Sequence, residues 1–239
     1  MTFDFEELDF QQTPLGEISL RRRSDPRLDH QQLYEVKLGE EFLMSSLFTE
    51  AEVQLAHLAL SRLAGDQLTV IVGGLGLGYT AAAALEHRSV ESLTVIEVMA
   101  PVIDWHRRQL VPLGQALTGD PRCSLREDDF FAVATAAETG FYGQPVDAVL
   151  LDIDHSPRRW LNPGNGSFYS TTGLARVAEK LLPGGIFGLW SDDPEEPEFV
   201  ALLNTVFHRS SAHKVEFDNP YTGGISTNTV YLGYKGGSE

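Results

Sequence analysis

The sequence predicts an α/β chain whose mostly parallel sheet is covered by helices on both faces. Three observations predict it. Apolar and β-branched runs of strand length occupy 68–74 (LTVIVGG), 92–98 (SLTVIEV), 146–154 (VDAVLLDID) and 185–190 (GIFGLW). Segments of helical composition separate or follow them at 80–88, 101–110, 130–138 and 172–182. Such alternation is the pattern of βαβ units.

The elements follow in order. Residues 13–47 alternate polar and apolar side chains around turn residues, so a small antiparallel β element precedes the main domain. The boundary is drawn at 48, giving a β element over 1–48 and a Rossmann-like domain over 49–239. Thr49-Glu50-Ala51-Glu52 reads as a capping box opening a helix that runs to about Leu63. Pro101 opens a helix where a missing N–H costs least, and Pro183-Gly184-Gly185 stops another near Leu182. Residues 213–235 read as two strands joined by a Gly-containing loop, an antiparallel pair that closes the sheet.

The chain has 239 residues, enough for one full hydrophobic core, and a formal net charge of -16 from 18 basic and 34 acidic side chains. That balance argues against nonspecific binding to nucleic acid or anionic membrane, and it makes cationic small molecules the first acceptors to try. One cysteine, Cys123, excludes an internal disulfide and any cysteine-based metal cluster. The acidic N-terminus lacks the apolar core of a signal peptide, and no apolar run is long enough to span a membrane. A cytoplasmic location is expected.

Chemistry concentrates where strands end. Residues 70–78 (VIVGGLGLG) place a strand directly before a glycine-rich turn and a helix. There the backbone approaches a ligand closely and the helix N-terminus offers free N–H groups. Gly76-Leu77-Gly78-Tyr79-Thr80-Ala81 fits the dinucleotide pattern GxGxxA, whereas Gly74, Gly76 and Gly78 give the tighter GxGxG of S-adenosylmethionine (SAM) enzymes. A purely structural turn has the same composition. Glu97 ends the next strand about twenty residues on, where a carboxylate accepts from both ribose hydroxyls. After the third strand, Asp128 can accept from an adenine amine, with Phe130 or Phe131 against the ring; alternatively Asp128 or Asp129 caps the following helix.

The fourth strand runs into Asp152-Ile153-Asp154-His155-Ser156-Pro157, at the sheet edge where open α/β folds bind ligands. Asp152 is placed to face the transferable group, with Asp154 and His155 as alternate acid–base groups. Loop anchoring for Asp152 and plain surface exposure for His155 are the competing readings. A magnesium or calcium site from Asp152, Asp154, His155 and Asp192 or Asp193 lacks support, because the Asp-Asn pair that catechol-type methyltransferases place after the fifth strand is here Leu189-Trp190-Ser191. No metal is expected. Trp190 and Tyr169 lie near the functional edge and are the aromatic pocket candidates.

Together these segments resemble the spermidine-synthase-like branch of the SAM-dependent methyltransferase fold. The residues that carry the resemblance are GGLGLGYTAAAAL, VIEVMAPVIDWHR, EDDFF, AVLLDIDHSP, Phe168-Tyr169 and LLPGGIFGLWS. The resemblance implies a seven-stranded sheet with an antiparallel last strand, a homodimer, and SAM or decarboxylated SAM as donor. It assigns Gly74, Gly76 and Gly78 to the nucleoside loop, Glu97 to the ribose, Asp128 to the adenine, and Asp152 to donor contact and to deprotonating an attacking amine. Two departures stand out. The aspartate that holds the aminopropyl ammonium in polyamine synthases is Leu77 here, and the Gln-Gly-Glu-like end of the fifth strand is Trp190-Ser191. A buried ammonium without its charge partner is costly. Methyl transfer to an unidentified small molecule is therefore the leading expectation, aminopropyl transfer the alternative, and a non-catalytic nucleoside-binding or oligomerising protein the reading from another class.

Overall fold

The computed structural model describes residues 5–237. Two sheets organise the chain. The first is an antiparallel meander of β1 (Phe5–Thr13), β2 (Gly16–Asp25), β3 (Gln31–Leu38) and β4 (Glu41–Ser45). β1 extends the expected β element toward the N-terminus. Its acidic exposed residues pair with the arginine run of β2, Glu6 opposite Arg22 and Glu7 opposite Arg21, so Arg21-Arg22-Arg23 is a cross-strand charge partner.

The second sheet has seven strands in the order β10-β11-β9-β8-β5-β6-β7. β5 (Leu68–Gly73), β6 (Val90–Glu97), β7 (Cys123–Glu127), β8 (Val146–Leu151) and β9 (Leu181–Ser191) run parallel. β11 (Gly224–Tyr234) pairs antiparallel with β9 and with β10 (Arg209–Asn219). This is the fold class the sequence predicts.

Both faces of the sheet are buried because neighbouring strand residues serve opposite cores. Val70 and Val72 of β5 and Ala148 and Leu150 of β8 join one cluster with α1 (Glu50–Leu60), α2 (Tyr79–Glu86) and α3 (Ala100–Arg107). Ile71, Val149 and Leu151 join the other, with α5 (Phe130–Thr135), α6 (Thr171–Lys180) and α7 (Pro197–Val206). A short α4 (Gly114–Gly119) follows α3. The helix of 172–182 ends earlier than expected: α6 stops at Lys180, and Leu181 and Leu182 already belong to β9. Among the described residues no helix is long and apolar enough to cross a membrane.

Strand order reverses at β5, which has β6 on one side and β8 on the other. A crevice opens outside the carboxyl ends of the strands at such a switch point. The N-terminal sheet covers it. Trp105 Nε1 of α3 donates to Asp9 Oδ2 at 2.7 Å, and the Met44 sulfur accepts from the Leu77 amide at 3.0 Å. At the other end, Tyr221 donates to Asp25 and accepts from Arg23, both at 2.9 Å.

Candidate active site

The covered crevice is a cavity of about 850 Å³ between the two sheets, within the size range of small-molecule sites. Its floor is the loop after β5. Gly74 has φ +92°, and a Cβ there would overlap the backbone carbonyl of Asp152. Gly76 has φ +48°, and its Cβ would strike the Met44 sulfur. Both positions line the cavity and both require glycine. Gly78 does not reach the wall. It forms the N-cap of α2 and packs against Leu117 and His106, which makes it a packing residue of the loop. His106, fully buried, donates from Nε2 to the Gly76 carbonyl at 3.0 Å and holds the turn from below.

Glu97, at the end of β6, is buried on the wall. Its Oε2 accepts from the Leu75 amide at 2.9 Å and its Oε1 from the Met99 amide at 2.8 Å. Burial raises its pKa, and the backbone donors pull it back down. Asp128 lies beside the cavity, not on its wall: it accepts from the Asp129 amide at 3.0 Å and from the Tyr142 hydroxyl at 3.2 Å. Asp129 is the wall residue, and it caps α5 through the Phe131 and Ala132 amides. Of the two aspartates in the EDDFF segment, the capping one also faces the cavity, with Phe130 and Phe131 beside it.

Asp152 follows β8 and faces the cavity. Thr80, on the first turn of α2, donates to its Oδ2 at 2.7 Å. Burial pushes the Asp152 carboxyl up to about 6 against this hydrogen bond. Asp154 requires a correction. It is fully buried and absent from the wall, accepting from the Leu161 amide at 2.7 Å, from Asn165 at 3.0 Å and from the Tyr169 hydroxyl at 2.8 Å. Held by the loop that follows and away from the cavity wall, it is placed as a loop anchor. Tyr169, tied to it, is likewise off the wall. His155 stands at the rim with Nε2 2.9 Å from Glu41 Oε1, bridging the β8 loop to the N-terminal sheet.

One wall residue went unread in the sequence. Glu52 is not the reciprocal partner of a capping box, and the Thr49 side chain makes no cap bond. Its side chain turns into the cavity, 8 % exposed. Burial, followed by the charge of Asp152, pushes its carboxyl up to about 8. The signal available was TEAE itself: a second acid two residues past Glu50, on the helix face otherwise formed by the buried Leu55, Ala56 and Ala59. The wall thus carries five carboxylates, Glu52, Glu97, Asp129, Asp152 and Asp192, with one histidine and, among the described residues, no lysine or arginine.

The spermine/spermidine synthase domain model matches residues 48–215, well over half of the chain. The chain belongs to this family. Within the spermine/spermidine synthase family, the chain is 30% identical over 132 residues to putrescine N-methyltransferase 1 of Nicotiana tabacum, covering 55% of this chain and 32% of that protein. It is 31% identical over 135 residues to a polyamine aminopropyltransferase of Aeropyrum pernix, covering 56% and 40% respectively. The chain therefore spans about a third of the length of the curated methyltransferases it matches. In three dimensions it resembles a spermidine synthase bound to the transition-state analogue AdoDATO, with a TM-score of 0.74 and 18% identity, over 97% of this chain and 74% of that one. The spermidine synthase of Thermotoga maritima gives a TM-score of 0.70 at 18% identity, over 97% and 73%. The expected seven-stranded fold with its N-terminal sheet stands on that likeness. Family members are transferases of both kinds.

Proposed function

We propose that this chain transfers a methyl group from SAM to an amine of a small aliphatic acceptor. The observation that carries this reading is the cavity wall, five carboxylates with, among the described residues, no lysine or arginine, which suits a sulfonium donor and an ammonium acceptor together. The named relatives include enzymes of putrescine, a diamine. A bound SAM supplies an electrophilic methyl carbon on a positively charged sulfur.

The chain's residues supply the rest. Glu97 would accept from the ribose hydroxyls, held rigid by the Leu75 and Met99 amides. Asp129, with Phe130 and Phe131, would contact the adenine; the Asp128 of the family pattern stands beside it, off the wall and hydrogen-bonded to Tyr142. Asp152, kept partly protonated by burial and oriented by Thr80, would take a proton from the acceptor amine. Most of the acceleration would come from aligning amine and donor in a closed site.

Aminopropyl transfer from decarboxylated SAM is the second reading, and Glu52 favours it. Leu77 is fully buried in the core and off the wall, so it holds nothing, but Glu52 brings a carboxylate to the cavity from a different element. Incubation with putrescine and either donor separates the readings. S-adenosylhomocysteine formed from SAM supports methyl transfer, and methylthioadenosine formed from decarboxylated SAM supports aminopropyl transfer. Nucleoside binding without either product would leave a non-catalytic binding protein.

A further inference from the structure

The Glu52 carboxylate accepts no hydrogen bond from another described residue, although the side chain is buried on the cavity wall. Its side chain belongs to the first turn of α1, while Asp152 directly follows β8. Thr80 ties the two together: its hydroxyl is 2.7 Å from Asp152 Oδ2 and 3.3 Å from the Glu52 carbonyl. The α1 turn is thereby fixed over the catalytic strand end. We propose that Glu52 and Asp152 form a two-carboxylate seat for the protonated primary amine of the acceptor, Glu52 being the residue that selects a cationic nucleophile.

The inference rests on the transferase reading above. An ammonium has three N–H donors and one positive charge, which matches two carboxylates that otherwise repel. Tyr79, Trp190 and Phe48 on the same wall take the methylene chain that leads away from it. The amine passes one proton to the carboxylate pair. Its freed lone pair then forms the new N–C bond, while the C–S bond breaks with both electrons left on sulfur.

The charged and titratable groups around Glu52 are Asp152, Asp192, Glu50 and Tyr79, all acidic or neutral. Without a cation beside it, the pair therefore retains a proton near neutral pH. Binding of an ammonium should expel that proton.

The test is calorimetry of putrescine into protein saturated with S-adenosylhomocysteine, at pH 7 in two buffers of different ionisation enthalpy. Wild type is expected to release about one proton per amine bound. Glu52→Gln is expected to bind putrescine about tenfold more weakly, releasing none, while holding S-adenosylhomocysteine as before. Glu52→Asp keeps the charge, and part of the affinity should return. Putrescine binding and proton release unchanged in Glu52→Gln would overturn the seat, as would wild type that binds the nucleoside but no putrescine. Wild type that binds neither S-adenosylhomocysteine nor methylthioadenosine instead removes the transferase reading itself.

Discussion

Glu97 is a carboxylate whose proposed ribose contact would rest on a role it already has in the fold. Its oxygens already accept from the amides of Leu75 and Met99, so the acid fixes the glycine loop and the start of α3 before any ligand arrives. Replacing it by alanine should weaken nucleoside binding by about 1.5–3 kcal/mol, the worth of charge-assisted hydrogen bonds, and should also lower the melting temperature by freeing two buried amides. Calorimetry with S-adenosylhomocysteine alongside thermal denaturation checks both. Full affinity in the variant would remove Glu97 from the ribose site. Asp154 carries the opposite lesson. It looked chemical in the sequence because it stands two residues from Asp152, yet the chain turns sharply enough after β8 to bury it under Leu161, Asn165 and Tyr169.

At the scale of elements, Asp129 and Asp154 anchor the pieces that frame the cavity. Asp129 caps the short α5 through two amides, so Asp129→Ala should cost about 1 kcal/mol of stability through the lost cap, and further affinity if it meets the adenine. An unchanged melting temperature would show that the cap is dispensable. Asp154 pins the segment from Leu161 to Tyr169 to the end of β8. An asparagine there keeps one acceptor oxygen but turns its amide nitrogen toward the donors on the other side, so Asp154→Asn should destabilise the protein by about 1–3 kcal/mol. Melting curves measure that loss. If the variant instead melts normally and loses turnover completely, Asp154 returns to the chemistry.

For the whole molecule, the closure of one sheet over the other makes a buried acidic pocket that works against stability. Burial raises Asp152 from an ordinary 3.8 to about 6, and burial together with the charge of Asp152 raises Glu52 from 4.5 to about 8, with Asp192, Glu50 and Tyr79 adding no positive charge. A carboxyl whose folded pKa is raised favours folding fully only below its unfolded pKa. That contribution fades as pH climbs through the folded values. The ligand-free protein should therefore lose stability between about pH 5 and pH 9 through this pair. Glu52→Gln should melt higher than wild type at pH 8.5 and show no such advantage at pH 5. Parallel melting curves across that range would refute the coupling. A bound cation should restore part of the loss, because it interacts with the ionised pair only in the folded state.

The sequence by itself determined the sheet, the glycine loop and the acidic strand ends. β-branched runs alternating with helical segments leave few ways to bury both faces of a parallel sheet, and the positive φ of Gly74 and Gly76 answers to residue type directly. That Glu97 and Asp152 line the cavity was legible for the same reason: an acid at the end of a buried strand opens onto the edge where such sheets bind ligands. What the sequence left open was decided by contacts between distant segments. Whether Asp128 or Asp129 faces the cavity depends on the rotation of a six-residue helix. Asp154 was turned inward by a loop seven to fifteen residues away, and Glu52 was drawn from a helix cap into the pocket by the packing of α1 against α2 and β9. Local pattern reports which face a strand or helix buries, but side chains at element ends answer to whatever the tertiary fold brings against them.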